Sequence, residues 1–410
     1  MSKLDELIAE FCPDGVEYRR VGDIADYEQP SKYLVKSTDY NDNFEIPVLT
    51  AGQTFILGYT NEKEGIYNAS PEKPVIIFDD FTGAFKWVDF PFKAKSSAMK
   101  MITSKSDVLI RYLYHLMGFL NYSSDEHKRL WISVYSELQV PVPHLEVQRE
   151  IVHILDSFTL LTAELTAELT ARKKQYEFYR DNLIKKEQHI SEVKKLADVA
   201  NIYDSLHQTP SYSNSGYSMV RVQDIKGGYV DEDKTLKVDE SVWNLFTQKY
   251  TPRLNDIVVS RVGSYGNFAL IPNDKCCLGQ NVALIHPNIN PKYLYHVLMS
   301  TMTKQWINNN VKGASQKSFS LADIKRVPVP VPKENIQQRI AEVLDNFEAI
   351  CTDLNIGLPA EIEARQKQYE YYRDLLLTFA ETGSTLMTDR QTDRQTDRQT
   401  DRQTDRAERD

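Results

Sequence analysis

Few residues in this 410-residue chain have the types and spacing for bond-making chemistry. The pairs Asp79–Asp80 and Asp125–Glu126, the latter with Lys128 close by, have the composition of a metal-dependent nuclease site, but each reads as a solvated turn. The eight histidines form no His-Glu-x-x-His or comparable metal spacing, and no G-x-x-x-x-G-K-[ST] loop is present to cradle a phosphate. An Asn/Asp-Pro-Pro-aromatic tetrapeptide, which would build an adenine-methylating pocket, is missing as well. Cys12, Cys276, Cys277 and Cys351 make neither a CxxC pair nor a spaced metal set, so they are expected to be reduced thiols. These absences predict a chain with no catalytic site, no metal and no cofactor of its own.

What remains is chemistry of recognition. Arg261, Ser264, Tyr265 and Asn267 surround a Gly263–Gly266 loop. Glycines let a backbone approach a phosphate closely, and an arginine fits guanine bidentately in the major groove. The amides Gln280 and Asn281 suit adenine edges, and Lys312, Gln316, Lys317 and Ser318 have the composition of a phosphate-contacting loop. Nearer the N-terminus, two acids in FDDFTGA stand where the later segment has Arg261 and its neighbours. Carboxylates repel phosphates, so the candidates there are Thr50, Gln53, Thr54, Lys93, Lys95, Ser96, Ser97 and Lys100.

These two groups occupy two copies of one unit. PVPHLEVQREIVHILDSF at 141–158 returns as PVPKENIQQRIAEVLDNF at 330–347, and ARKKQYEFYRDNL at 171–183 as ARQKQYEYYRDLL at 364–376. Fainter echoes pair EYRRVGDIADY (17–27) with EVKKLADVANI (192–202), VIIFDDFTGAF (75–85) with VVSRVGSYGNF (258–268), and RYLYHLM (111–117) with KYLYHVL (292–298). Repetition at this period implies a globular part of about 120 residues followed by a helix, twice over.

Short alternating runs between turn residues, such as PVIIFDD and NVALIHP, predict strands in each globular part, with helical stretches at 109–121 and 292–306. VPVP at 140–143 and VPVPVP at 327–332 cannot be helix interior and are expected to be stiff extended hinges. From about 147 to 185 the apolar residues Ile151, Leu155, Phe158, Leu161, Leu165, Leu169, Tyr176 and Leu183 form one stripe, a helix of roughly 55 Å. A second helix starts near Asn335, breaks or kinks at Gly357 and Pro359, and resumes through Tyr369 and Leu376. Two exposed stripes in one chain pack most simply on each other, antiparallel. The expected architecture is therefore α/β (α+β): two similar globular domains at 1–145 and 187–332, helices at 146–186 and 333–380, and a tail from 381 to 410.

Net charge is −9, which on its face disfavours a nucleic-acid binder. The imbalance is local: 14 Lys+Arg against 11 Asp+Glu over 196–327 gives +3, while 12 against 16 over 21–140 gives −4. Affinity follows local cations near phosphates, and a partner is expected to supply part of the positive surface. No apolar run reaches membrane-spanning length, and MSKLDELIAEF lacks a signal peptide's basic start and apolar core, which predicts a cytoplasmic protein.

The combination of PVP-x-x-x-x-Q-x-x-I entering a helix that ends in QYE-[FY]-YRD, a tandem LTAELTAELTA at 161–171, LGQNVALI at 278–285 and KGASQKSFSLADIKRVPVPVP at 312–332 resembles the specificity subunit of type I restriction–modification enzymes. The resemblance covers about 1–380. It implies a non-catalytic reader of double-stranded DNA, in which each domain reads half of a split site and the helices set the unread spacer. It also implies two methyltransferase subunits and two translocase–nuclease subunits as partners, to which S-adenosylmethionine, ATP and magnesium belong. A scaffold that assembles methyltransferase subunits without touching DNA is the alternative.

From Thr388 the chain reads TDRQTDRQTDRQTDRQTDRAERD, which carries no core-forming residues and is expected to be disordered or loosely helical. Reiterated ACAG encodes Thr-Asp-Arg-Gln in every frame. The tail is therefore expected to come from a tetranucleotide slippage tract, whose length changes would alter only the ending beyond Arg406.

Overall fold

The computed structural model describes residues 2–50, 54–120, 129–311, 318–353 and 356–382. Gln53, Lys312, Gln316, Lys317, the Asp125–Glu126–Lys128 group and the Thr-Asp-Arg-Gln tail lie outside the described residues. The chain forms two compact units. One comprises 1–163 with 364 onward, the other 164–363.

The first unit's strands are β1 (Glu17–Arg20), β2 (Ala25–Glu28), β3 (Ile46–Leu49), β4 (Ile56–Thr60), β5 (Val75–Asp79), β6 (Phe85–Val88), β7 (Lys93–Ala94), β8 (Met99–Ser104) and β9 (Gln139–Val142). They make a four-stranded antiparallel sheet in the order β2-β8-β5-β6, a three-stranded sheet β4-β3-β7 with β3 and β7 parallel, and a two-stranded ribbon β1-β9.

The second unit has β10 (Glu192–Lys195), β11 (Ala200–Asp204), β12 (Tyr217–Val220), β13 (Leu236–Val238), β14 (Ile257–Ser260), β15 (Phe268–Leu270), β16 (Cys276–Leu278), β17 (Val282–Pro287) and β18 (Pro328–Val331). Its sheets, β11-β17-β14-β15, β13-β12-β16 and β10-β18, reproduce the first unit strand for strand, including the parallel pair β12 with β16. The duplication read from the helices thus extends through both globular parts.

The proline runs are not free hinges. β9 and β18 pair antiparallel with β1 and β10, with Pro141 opposite Tyr18 and Pro330 opposite Val193. A two-stranded ribbon has only edge strands, so a missing N–H costs no ladder bond if it faces outward. Buried tyrosines use the carbonyls: Tyr112 donates to Pro141 O at 3.0 Å and Tyr293 to Pro330 O at 2.9 Å.

Each ribbon feeds a helix whose first turn is pinned by the glutamine of the PVP motif. Gln148 is fully buried; its Oε1 accepts from Leu109 N (2.9 Å) and its Nε2 donates to Pro143 O (2.8 Å). Gln337 repeats this with Asn290 N (3.1 Å) and Pro332 O (2.8 Å). The central helix, Leu145–Ile190, runs 46 residues, about 69 Å at 1.5 Å per residue. The later helix is broken as expected, ending at Thr352 and restarting at Leu358. Gly357 sits in the break because a Cβ there would lie 2.6 Å from Asp353 O and 2.8 Å from Ala349 O.

The core of each unit draws on helices from both repeats. In the first, Val147, Ile151 and Leu155 of the central helix join Tyr112, Leu116, Trp131 and Leu377 and Phe379 of the later helix. In the second, Tyr176 and Ile184 join Tyr293, Leu294, Ile340 and Leu344. Within that unit Tyr179 packs on Phe347 (5.7 Å between ring centres), and Lys173 approaches Cys351, so the two helices run in opposite directions.

Candidate nucleic-acid interface

Antiparallel register places four strand ends of the second unit on one side of its sheet. Asp204, ending β11, lies opposite Ala283 at the start of β17; Ser260, ending β14, lies opposite Val282; Val259 lies opposite Phe268, which opens β15. The intervening loops therefore converge, and they carry the residues singled out from sequence.

Arg261 sits at the centre. Its backbone N–H donates to Asn281 O (2.8 Å) and its carbonyl accepts from Phe319 N (2.7 Å), so three loops are tied through one residue. Its guanidinium is ion-paired with Asp204, which also accepts from or pairs with His207 at 3.2 Å. Arg261 is therefore not a free arginine awaiting a base, as the sequence suggests, but one already oriented by a carboxylate.

Ser264 is exposed at the turn between Gly263 (φ 73°) and Gly266 (φ 76°), and the turn is closed by Ser260 Oγ, which donates to Ser264 O. Asn267 is exposed and donates from Nδ2 to Ser264 O at 3.1 Å. Tyr265 is instead partly buried against the core. Gln280 is exposed and reaches Thr209 Oγ1 at 3.2 Å; Asn281, in the left-handed region at φ 61°, shapes the turn. Ser318 is exposed and bridges to Val262, bringing the end of its loop to the same place. An open cleft of about 470 Å³ there is lined by Thr209, Tyr212, Arg221, Gln223, Ser264 and Gln280. Thr209, Tyr212, Arg221 and Gln223 were missed by sequence reasoning, because no motif marks the polar run SLHQTPSYSNSG at 205–216 or the VRVQD at 220–224. Arg221 is held by Asp224 through Nε (3.1 Å) and Nη2 (3.2 Å).

The first unit has the same sheet end with different contents. Asp79, ending β5, lies opposite Met99, and Phe78 opposite Phe85. Two of its candidates are corrected by burial. Lys93 is 1% exposed, with Nζ 2.9 Å from Glu62 and donating to Glu64 O at 2.6 Å. Lys100 is fully buried, with Nζ 3.2 Å from Asp80. Neither ammonium can reach a phosphate, since each neutralises a carboxylate inside the fold. Burial pushes the Glu62 carboxyl up, but the N–H groups of Ser37 and Lys36 together with Lys93 outweigh it and hold the group below its ordinary range.

Asp79 and Asp80 are likewise not a solvated turn. Asp79 caps the turn by accepting from Phe81 N (2.9 Å), and Asp80 accepts from Trp131 N (2.9 Å). Counted from the last hairpin pair, Asp80 occupies the position that Arg261 holds in the second unit. Both positions carry an ion pair, with the polarity reversed.

The remaining first-unit candidates are gathered near that end. Thr50 donates from Oγ1 to Thr54 O (2.7 Å), Lys95 N donates to Leu49 O (2.9 Å), and the Lys95 ammonium lies 5.7 Å from the Tyr40 ring centre. Thr54, Lys95, Ser96 and Ser97 are exposed. Among the described residues, His296, Asp345 and Glu348 also cluster at metal-ligand distances. Both ring nitrogens of His296 are already bonded, to Asp345 (2.8 Å) and Tyr176 (3.0 Å), and Lys292 lies 3.5 Å from Asp345. A cation there would have to displace those bonds.

Comparison with known proteins assigns this duplicated architecture. Residues 13–172 and 190–364 each match the family model of the type I restriction modification DNA specificity domain. This chain belongs to the family of type I restriction–modification specificity subunits. It is 44% identical over 401 residues to the EcoR124I/EcoR124II specificity subunit of Escherichia coli, covering 92% of this chain and 97% of that one. A putative type I restriction enzyme specificity subunit of Haemophilus influenzae is 28% identical, covering 89% and 96%. The fold is similar to the crystal structure of a type I S subunit from M. genitalium, with a TM-score of 0.50 at 12% identity over 89% of this chain and 96% of that one.

A specificity subunit recognises the DNA target and leaves catalysis to the other subunits of its complex. The two family matches fall on the two copies. Among the described residues no helix is long and apolar enough to cross a membrane.

Proposed function

We propose that each of the two specificity domains reads one half of a split, asymmetric DNA site through its sheet-end loops, while the helices set the unread spacer. The observation that carries this reading is the pairing of one fold with two linings. The same sheet end presents Ser264, Asn267, Gln280 and Ser318 around Arg261 in one unit, and Thr50, Thr54, Lys95, Ser96 and Ser97 in the other. Sheets of matching strand order deliver the loops to comparable places, and different polar groups on them read different bases. Arg221, Gln223, Thr209 and Tyr212 join the second set because they line the same cleft.

In this reading the chain assembles with two methyltransferase subunits and two translocase–nuclease subunits in the cytoplasm, and S-adenosylmethionine, ATP and magnesium act in those partners. Of the described lysine candidates in the first unit, Lys93 and Lys100 are buried and Lys95 is exposed, so the partners supply much of the phosphate contact. The test is adenine-methylation mapping of DNA from cells expressing this chain with its methyltransferase subunit. A single split motif with a fixed spacer, lost on deletion of the chain, is expected. Methylation that persists unchanged after deletion would overturn the reading and favour a scaffold.

A further inference from the structure

Each unit contains a polar set around a buried histidine, built from the same three sequence fragments. In the first unit His115, fully buried on the helix Ile110–Leu120, bonds through Nε2 to Asp156 Oδ1 (2.9 Å) and through Nδ1 to the Tyr369 hydroxyl (2.9 Å). In the second, His296 on the helix Pro291–Met299 bonds through Nε2 to Asp345 Oδ1 (2.8 Å) and through Nδ1 to the Tyr176 hydroxyl (3.0 Å). A carboxylate only accepts, so Nε2 carries a proton in each case, and Nδ1 is left to the tyrosine hydroxyl. A basic side chain flanks each carboxylate, Arg111 at 2.7 Å from Asp156 and Lys292 at 3.5 Å from Asp345. An arginine also lies near each tyrosine ring, Arg373 at 5.7 Å and Arg180 at 5.3 Å.

The fragments are YLYH (112–115 and 293–296), LD-[SN]-F (155–158 and 344–347) and KQYE (174–177 and 367–370). Their assembly is crossed. The aspartate comes from the helix that follows the domain directly, whereas the tyrosine comes from the helix of the other repeat. Tyr176, from the first repeat, completes the second unit, and Tyr369, from the second repeat, completes the first. Each histidine therefore joins its globular part to two helices by directional bonds.

Apolar contacts between helix and domain are non-directional and tolerate small rotations. A buried imidazole with both nitrogens committed does not, because any rotation leaves a buried polar atom unsatisfied. Across a domain of this size, roughly 20 Å, a rotation of about 10° moves the far loops by about 3.5 Å. That is about one base-pair step.

We propose that the two Tyr–His–Asp sets are latches that fix the angle of each recognition domain on its helices and so restrict which spacer length the subunit accepts. The proposal rests on the split-site reading above. His115, Asp156, Tyr369, His296, Asp345 and Tyr176 are positioning residues that touch no DNA; the bases are read by the loops at the sheet ends.

The test uses the chain assembled with its methyltransferase subunits, after the wild-type site has been mapped. Tyr176→Phe and Tyr369→Phe remove one hydroxyl each and keep the ring packing; His115→Gln and His296→Gln provide a second pair of variants. Methylation rates are measured on duplexes with native half-sites and spacers of native length, one base pair shorter and one longer, and on single-base variants of each half-site. The expected result is a fall of roughly fivefold to tenfold per lost hydrogen bond in preference for the native spacer, with half-site discrimination unchanged. Rates that fall uniformly across spacers, or do not change, would mean the sets only stabilise the fold and would overturn the proposal, as would relaxed half-site discrimination. A wild-type complex that methylates no split site would instead sink the split-site reading, so the two failures are distinct.

Discussion

Inserting one Leu-Thr-Ala-Glu unit after Glu168 is the sharpest perturbation of the spacer that the structure suggests. The repeat LTAELTAELTA lies wholly inside the continuous helix Leu145–Ile190, and the division between the two compact units, Ala163 to Glu164, falls within it. Leu161, Leu165 and Leu169 are its shielded positions, Leu165 being buried, while Glu164, Ala167 and Glu168 face solvent. Four added residues lengthen the helix by about 6 Å and rotate the downstream half of the helix by about 40°. The apolar stripe returns almost to its own face, so the helix retains a place to pack. An insertion of two residues would instead turn the stripe by about 200° and expose it. A 6 Å extension spans between one and two base-pair steps of roughly 3.4 Å. The expected outcome in methylation mapping is the same two half-sites separated by a spacer one to two base pairs longer, and deletion of a unit should shorten it likewise. An unchanged spacer with methylation intact would refute the idea that helix length sets the distance, as would a change in either half-site.

Named contacts give four further expected outcomes. Lys100→Met should destabilise the first unit by about 3–5 kcal/mol in denaturant unfolding, because it leaves Asp80 buried without its cation; the salt dependence of DNA binding by the complex should not change, whereas a reduced slope would restore Lys100 as a phosphate contact. Arg261→Ala should cost about 1–3 kcal/mol of binding at one half-site only, since it frees Asp204 at the sheet end; a uniform loss across sequences would identify a phosphate contact instead. Glu348 receives the Tyr295 hydroxyl at 3.1 Å, and burial raises its carboxyl above the ordinary value. The fold thus favours its acid form, a contribution present below the unfolded pKa and lost as pH rises through the folded one. Glu348→Gln should then raise Tm at pH 7–8 and change it little near pH 4; equal shifts at both would contradict the burial argument. Sequencing the Thr-Asp-Arg-Gln tract from many colonies should show length changes in four-base steps, and mixed codons or invariant length would remove the slippage reading.

The helices, their break at Gly357 and the duplicated order of the chain were legible in the residues themselves. Periodicity and repetition are local or linear properties, and they survive in a string of letters. The PVP-x-x-x-x-Q motif was visible for the same reason, although its purpose was not. Only the fold shows that Gln148 and Gln337 close the loop before each helix, and that the prolines lie in paired ribbons rather than in free hinges.

The candidate interface divides differently. Sequence identified Ser264, Asn267, Gln280 and Ser318 because small polar residues and glycines cluster around them, and strand register then brings them to one sheet end. It could not tell Lys95, exposed beside Tyr40, from Lys93 and Lys100, two and five positions away. An ammonium has the same letter whether it faces water or a buried carboxylate. Its partners, Glu62 and Asp80, lie 31 and 20 residues distant along the chain. Arg261 stands out in the sequence, but its pairing with Asp204, 57 residues earlier, does not.

The sequence by itself determined that this protein is two copies of one globular unit, each followed by a long helix, because hydrophobic period and internal repetition are written along the chain. The tertiary structure alone decided which charged side chains are neutralised inside each unit, and that each histidine latch borrows its tyrosine from the other repeat. Those outcomes depend on pairings between residues far apart in sequence, which register and packing create and which no local pattern encodes.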